Sequence, residues 1–174
     1  DVAFPAVHGP FGEDGTLQGL LELANIPYIG SGVVGSAVGM DKLVMKAVFK
    51  GQGLPILPYL GFSRSQWERS RESAIKEIED TLPYPVFVKP ANLGSSIAVS
   101  KAKDRQSLIE ALTLAANYDR RLVVEKGLDD SIEVNCAVMG NEELKVSPCE
   151  QPIRHHDFLS FEDKYIHGGK SGGM

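Results

Sequence analysis

One stretch of the chain combines a lysine with a loop of small residues, which suits phosphate binding. It reads Val86-Phe87-Val88-Lys89-Pro90-Ala91-Asn92-Leu93-Gly94-Ser95-Ser96-Ile97. The apolar run before Lys89 indicates a buried strand, and Pro90 ends it because proline has no N–H for a central ladder. The backbone N–H groups of the Gly-Ser-Ser loop can close on phosphate oxygens, with Lys89 supplying the opposite charge. We predict a strand, a nucleotide phosphate-binding loop and a second strand over Ile97–Val99.

The same loop is also compatible with a plain hairpin, because single short motifs often match by chance. It is neither a Gly-Lys-Ser/Thr loop opening a helix nor a Gly-x-Gly-x-x-Gly loop. Its interpretation therefore depends on the other motifs of the chain.

A second glycine-containing loop, residues 8–15, follows a predicted strand over Val2–Val7 and precedes apolar residues at helical spacing. A strand, a loop and a helix N-terminus form a natural anion site. The alternative is a plain connection in which Glu13 and Asp14 cap the helix.

Composition excludes several classes of protein. The 174 residues are 43% hydrophobic and carry a net charge of −5, and no basic cluster indicates a nucleic-acid surface. No apolar run approaches the roughly 20 residues of a membrane span, and no signal peptide is visible, so we expect a cytoplasmic protein. Cys136 and Cys149 lack metal-site spacing, so we expect reduced core thiols.

Helix signals recur along the chain. We interpret residues 30–39, with their repeated glycines, as a loop, followed by a helix that Asp41 caps. Ser65-x-x-Glu68 matches a capping box for a long helix over residues 65–82, and Asp104 caps another amphipathic helix.

Strand signals dominate the later part of the chain. Residues 122–128 form an apolar run typical of a buried strand, and residues 132–138 alternate as a half-buried strand does. Helix, strand pair, helix and strand in this order predict an α+β sandwich. His155-His156-Asp157 is better explained as polar loop than as a metal site, because adjacent residues in a strand face opposite ways.

These segments together resemble the D-alanine-D-alanine ligases of the ATP-grasp superfamily, in order and over nearly the whole chain. The matching motifs are His8-Gly9-x-x-Gly12-Glu13-Asp14-Gly15-x-x-Gln18-Gly19, Pro27-Tyr28-x-Gly30-x-Gly32-Val33, Met40-Asp41-Lys42, Val88-Lys89-Pro90, Gly94-Ser95-Ser96, Glu125-Lys126, Glu133 and Lys164-Tyr165. The resemblance implies an α+β fold, in which an α/β N-terminal piece precedes an ATP-grasp central α+β domain. We expect residues 1–52 to end the N-terminal substrate domain, 53–150 to form the nucleotide-binding domain, and 151–174 to begin the catalytic domain with a mobile active-site loop.

The resemblance also implies an activity and residue roles. In such ligases ATP phosphorylates the carboxylate of one D-alanine, and the amine of a second attacks the acyl phosphate, which yields a peptidoglycan precursor. The implied cofactor-binding residues are Lys42 and Lys89 on the ATP phosphates, Asn92, Leu93, Gly94, Ser95 and Ser96 folded over them, Glu125, Lys126 and Leu128 at the adenine, and Glu133 at the ribose. The implied substrate-binding residues are His8, Ser95 and Tyr165, and the implied catalytic residues are Ser95, Lys164 and Tyr165.

Magnesium (Mg²⁺, or Mn²⁺) is implied as a second cofactor, with ligands expected after Met174. We interpret both ends of the sequence as internal to a longer protein and expect this stretch alone to be inactive. The implied partners are small molecules, D-alanine above all, without nucleic acid or membrane, and a homodimer is left open.

Alternatives remain for the substrate and the class of protein. Another ATP-grasp carboxylate-amine ligase would share the nucleotide half but not the segment from His8 to Gly19, and a non-catalytic nucleotide-binding module would lack acidic metal ligands. With Tyr165 the chain resembles the ligases that accept D-alanine or D-serine, which carry a tyrosine at this position. Ligases that make a D-lactate ester carry a histidine-bearing loop there instead. A phenol with a pKa near 10 stays neutral, whereas a cationic histidine would attract lactate.

Overall fold

The computed structural model describes residues 1–128 and 131–152, and the chain divides into the units Asp1–Gly127 and Leu128–Met174. The elements of the first unit are α1 (Thr16–Leu23), α2 (Val33–Met40), α3 (Lys42–Gly51), β1 (Tyr59–Ser63), α4 (Arg64–Arg69), α5 (Arg71–Thr81), β2 (Val86–Pro90), β3 (Ser100–Ala102), α6 (Arg105–Tyr118) and β4 (Arg121–Lys126). The described part of the second unit contains β5 (Val138–Met139) and β6 (Lys145–Val146), which pair antiparallel. The mixed content confirms the predicted α+β class.

A four-stranded antiparallel sheet, in the order β1-β4-β2-β3, forms the centre of the first unit. In the register of β2 and β4, Phe87 lies opposite Glu125 and Lys89 opposite Val123. Because side chains alternate along a strand, these residues share one face of the sheet, and Val88 lies on the other. The face with Lys89 and Glu125 therefore carries charged side chains, whereas the face with Val88 is apolar.

The apolar face packs against α4, α5 and α6. Its core consists of buried residues from strands and helices: Phe62, Trp67, Ala74, Ile75, Ile78, Leu82, Val86, Val88, Ala102, Leu108, Ala111, Leu112, Ala115, Ala116, Leu122 and Val124. The apolar stripes predicted on the two long helical segments are thus confirmed as buried. Asp104 is confirmed as the cap of α6, where its side chain accepts from the Ser107 N–H.

Three local predictions near α4 and α2 were wrong. The capping box is formed by Ser63 and Gln66 rather than by Ser65 and Glu68, because β1 ends at Ser63 and the chain turns there directly into a helix. The predicted long helix is two helices separated at Ser70, whose φ of −143° and ψ of 53° are not helical. The loop predicted over residues 30–39 instead contains most of α2, since an isolated glycine weakens a helix by about 1 kcal/mol without ending it.

Three of the predicted strands were wrong or longer than the strands that form. Ala98 adopts a left-handed φ of 54°, so the strand predicted over Ile97–Val99 begins only at Ser100. The predicted strand over Val2–Val7 is reduced to one bridge, from Ala3 to Tyr28. Of the half-buried strand predicted over residues 132–138, the structure has an isolated bridge from Asn135 to Glu150 and the first residue of β5, and Ile132 is exposed at 66%.

The cysteine prediction was half right. Cys136 and Cys149 are both free, but both are exposed rather than in the core. Within the described part of the chain, no helix combines the length and the apolarity that crossing a membrane requires. The predicted domain limits at residues 52 and 150 stay predictions.

Helix α6 offers a matched test of the core. Leu112 is exposed at 1% and Leu114 at 41%, so the same substitution at the two positions compares a buried with a half-exposed leucine. We expect Leu112→Ala to lower the free energy of unfolding by about 2 to 5 kcal/mol, through lost burial and a cavity. Leu114→Ala should lower it by under about 1 kcal/mol. Urea denaturation of the two variants measures the difference, and equal losses would contradict the packing of α6 on the sheet.

Candidate functional site

The root of the predicted phosphate loop is fixed to the start of β4. The Asp119 carboxylate accepts hydrogen bonds from the Asn92 backbone N–H at 2.7 Å, from Asn92 Nδ2 at 3.2 Å and from the Arg121 N–H at 3.1 Å. The Ala91 N–H donates to the Arg121 carbonyl at 2.9 Å. Asp119 itself is buried, so this anchor is largely shielded from water.

Helix α3 docks its N-terminus against the same loop. Asp41 caps the helix, as predicted, by accepting from the Leu43 and Val44 N–H groups at 3.1 Å. Its other carboxylate oxygen receives the Arg121 guanidinium. The buried Asp41 carboxylate thus both caps the N-terminus of α3 and links this helix to β4.

Lys42, the first residue of α3, reaches the loop directly. Its backbone N–H donates to the Ala91 carbonyl at 3.0 Å, and its ammonium donates to the Leu93 carbonyl at 2.5 Å. The helix therefore delivers a cation to a loop that lies about fifty residues further along the chain.

The polar face of the sheet carries a group of three charges, formed by Lys46, Lys89 and Glu125. Glu125 is buried and accepts from Lys89 through one carboxylate oxygen and from Lys46, at 2.7 Å, through the other. Lys89 and Glu125 come from neighbouring strands, and Lys46 comes from α3 above them. The carboxylate is thereby compensated by an ammonium on each side.

Gly61 of β1 lies against the Leu43 side chain of α3. A Cβ at this position would lie 2.8 Å from Leu43 Cδ2, which is shorter than side chains tolerate. A side chain at position 61 would therefore require the Leu43 side chain to shift.

The tip of the loop has an unusual backbone. Ser95 and Ser96 have φ angles of 51° and 59°, in the left-handed region that non-glycine residues adopt at a cost of order 1 to 3 kcal/mol each. A Cβ built at Gly94 meets nothing within 4 Å, so the space beside it is open. A loop of turned amides with Lys42 at its base and Lys89 just before it suits a polyanion.

The remaining predicted site residues are spread over both units. Lys126 ends β4, and His8 is exposed in the loop before α1. Leu128 and Glu133 belong to the second unit, where Leu128 is exposed and Glu133 half-buried. The lysine and tyrosine predicted at positions 164 and 165 lie outside the described residues, as does the His-His-Asp run at 155–157.

Sequence reasoning missed three contributors to the site: Lys46, Asp119 and Arg121. One signal for Lys46 is its spacing of four from Lys42, which places the two lysines on one helix face. The roles of Asp119 and Arg121 depend on long-range contacts that no local pattern announces. Within residues 1–128 and 131–152, no group of three or more His, Cys, Asp or Glu residues is arranged to bind a metal ion.

Comparison with known proteins identifies two family models along the chain. The model described as D-ala D-ala ligase N-terminus matches residues 1–31, and that described as D-ala D-ala ligase C-terminus matches residues 48–173. Among curated proteins, the chain is 52% identical to a D-alanine-D-alanine ligase of Heliobacterium modesticaldum, over 95% of this chain and 45% of that protein. It is 50% identical to one of Ruminiclostridium cellulolyticum, over 98% of this chain and 45% of that protein.

Solved structures agree with the sequence matches. The D-alanine-D-alanine ligase of Coxiella burnetii superposes with a TM-score of 0.79 at 38% identity, covering 88% of this chain and 44% of that one. A D-Ala:D-Ser ligase of Enterococcus faecalis superposes with a TM-score of 0.80 at 40% identity, covering 87% and 43%. The chain therefore spans less than half the length of these relatives.

The loop anchor generates a testable prediction. Asp119→Ala removes the acceptor of the Asn92 N–H, and leaving a buried donor unpaired costs about 1 to 3 kcal/mol. We expect faster hydrogen exchange of the Asn92 amide and a correspondingly lower free energy of unfolding. Asp80→Ala is the matched control, because its carboxylate is 63% exposed and pairs with exposed Lys76. The anchor would be refuted if the Asn92 amide exchanged at the same rate in both variants.

Proposed function

The chain belongs to the D-alanine-D-alanine ligase family, and we propose that it supplies ATP-binding and substrate-binding parts of an ATP-dependent ligase. The proposed reaction joins two D-alanines through an acyl phosphate and provides a precursor for peptidoglycan. The observation that carries this proposal is the contact of the Lys42 ammonium with the Leu93 carbonyl. This contact brings a cation to a loop whose composition already indicated phosphate binding.

The geometry of the loop fits the triphosphate of ATP. Lys42 and Lys89 are the proposed phosphate contacts, and residues 92–96, with open space at Gly94, are proposed to fold over the phosphates. The anchored root favours this role, because a fixed root positions backbone amides before the ligand arrives. Glu125 and Lys126, at the end of β4, are the proposed edge for the adenine, together with Leu128, and Glu133 is proposed for the ribose.

Phosphoryl transfer to a carboxylate needs positioning and charge stabilisation more than covalent help from the protein. Bound ATP supplies the γ-phosphoryl group that converts the first D-alanine carboxylate into a good acyl donor for the amine of the second. Lys42 and Lys89 are proposed to balance charge on the phosphates, and Ser95 and His8 to contact the substrate side. Lys164 and Tyr165 keep their proposed catalytic roles.

Mg²⁺ is a proposed cofactor that the described residues do not hold by themselves. Asp41, Asp119 and Glu125 are each occupied by lysine, arginine or backbone donors, which disfavours them as metal ligands. Residues outside the described ranges are the proposed source of the ligands.

The proposal is tested by product analysis with the full-length protein. With ATP, Mg²⁺ and D-alanine we expect ADP, phosphate and D-alanyl-D-alanine to form together. With equal D-alanine and D-lactate at neutral pH, the dipeptide should dominate, because neutral Tyr165 offers no cation to the lactate carboxylate. D-serine is the closer competitor, since a pocket rejects one added hydroxyl only weakly, and the D-Ala:D-Ser ligase neighbour supports testing it.

Absence of any D-alanine-dependent ADP formation would overturn the ligase proposal. Mainly D-alanyl-D-lactate would overturn its substrate choice, and mainly D-alanyl-D-serine would replace D-alanine as second substrate. ATP binding without turnover would instead favour a nucleotide-binding module.

Lys89 provides a residue-level prediction. We expect Lys89→Ala in the full-length protein to weaken ATP binding and slow turnover, because it removes a charge-assisted phosphate contact worth about 1.5 to 3 kcal/mol. Lys76→Ala is the matched control, since Lys76 is 74% exposed on α5 and pairs with Asp80. Nucleotide titration and steady-state rates measure both variants, and indistinguishable effects would mean that the phosphate site lies elsewhere.

A further inference from the structure

The buried residue of α3 is a lysine rather than an apolar side chain. Lys46 is 9% exposed, whereas Val48 and Phe49 of the same helix are exposed at 42% and 38%. Burying an ammonium is unfavourable unless it is paired and hydrogen-bonded. Position 46 therefore meets an ionic requirement of the sheet face rather than a packing requirement of the helix.

The group that requires an ammonium partner is the Glu125 carboxylate. Lys46 Nζ lies 2.7 Å from Oε2 of Glu125, while Oε1 accepts from Lys89. The Tyr59 ring, 5.2 Å from Lys46 Nζ, adds a cation–π contact. Burial lowers the pKa of the Lys46 ammonium, but the adjacent carboxylate favours the charged form and keeps the ion pair intact.

The two lysines differ in access. The Lys46 side chain is 11% exposed and the Lys89 side chain 24%, and Lys89 lies three residues before the phosphate loop. Lys89 is thus the lysine that an incoming anion can reach, whereas Lys46 stays paired with Glu125.

We propose that Lys46 is a positioning residue that keeps Glu125 compensated while Lys89 transfers from Glu125 to a nucleotide phosphate. This inference rests on the proposed function, because the ATP phosphate is the anion that draws Lys89 away. With Lys46 present, Glu125 retains an ammonium partner throughout the transfer. Without Lys46, the transfer leaves a buried carboxylate unpaired, which is strongly unfavourable, so nucleotide binding weakens although Lys46 never touches the nucleotide.

Two other roles for Lys46 predict different results. A purely structural lysine would change the stability of the protein and leave the affinity of the folded protein for nucleotide unaltered. A lysine that contacts the phosphate directly would lose the same affinity whether or not residue 125 is charged. Only a role through Glu125 makes the effect of Lys46 depend on that carboxylate.

The experiment measures the Kd of the non-hydrolysable ATP analogue AMP-PNP with Mg²⁺ for the full-length protein by calorimetry. We expect Lys46→Met to raise Kd about tenfold or more, the equivalent of losing one charge-assisted contact. In the Glu125→Gln background, the same change should shift Kd by less than about threefold. Lys46→Arg should restore binding, because it returns a cation to Glu125, and Lys50→Met is the matched control on the exposed last turn of α3.

Equal losses in both backgrounds would overturn the proposal in favour of a direct phosphate contact. An unchanged Kd with a lower Tm for Lys46→Met would overturn it in favour of a structural role. If Lys46→Met alone does not fold, Glu125→Gln and the double variant still decide, since a tenfold gap between them refutes the inference. A wild-type protein that does not bind AMP-PNP would overturn the proposed function and this inference together, whereas normal wild-type binding with an unaffected Lys46→Met would overturn this inference alone.

Discussion

A carboxylate buried in a protein must be paired, and in this molecule the Glu125 carboxylate imposes that requirement on three elements at once. Glu125 lies on β4 and forms ion pairs with Lys89 of β2 and with Lys46 of α3. Helix α3 is consequently held over the sheet by charge, with Val48 and Phe49 left exposed. The Lys46–Glu125 pair thus helps to hold α3 over the sheet, while the Asp41 cap fixes where the helix begins and hence where Lys42 lies.

The two faces of the sheet have different roles: one stabilises the fold, and the other positions charged side chains. One face is packed with valine, leucine and phenylalanine against α4, α5 and α6, which is where removal of side-chain volume is costly. The opposite face carries Lys89 and Glu125, whose net contribution to stability is small because desolvation offsets the attraction between charges. Such charges are better explained by what they position than by what they stabilise, and the proposed phosphate loop follows the end of β2, the strand that carries Lys89.

Local chemistry made much of this arrangement predictable. Asp41 and Asp104 start their helices as their positions before amphipathic segments indicated, and the strand before the loop ends at Pro90. Errors arose where two local solutions competed: Ser63 and Ser65 both precede a glutamine or glutamate by three residues, and strand pairing of Ser63 with Arg121 decided between them. The site itself required long-range information, because the contacts of Lys46 with Glu125 and of Arg121 with Asp41 join residues about eighty apart in the chain.

Electrostatics explains why the site needs this supporting network. The chain as a whole carries a net charge of −5, which repels a polyanion, so attraction has to be local. Lys42, Lys46, Lys89 and Arg121 bring four cations to the loop and the adjoining sheet face, against the carboxylates of Asp41, Asp119 and Glu125. Unpaired, the cations would repel one another and displace α3. With the carboxylates between them, the cations can be concentrated at the loop while the excess charge stays positive. In the proposed function, Lys89 would then exchange the Glu125 carboxylate for a phosphate of the nucleotide.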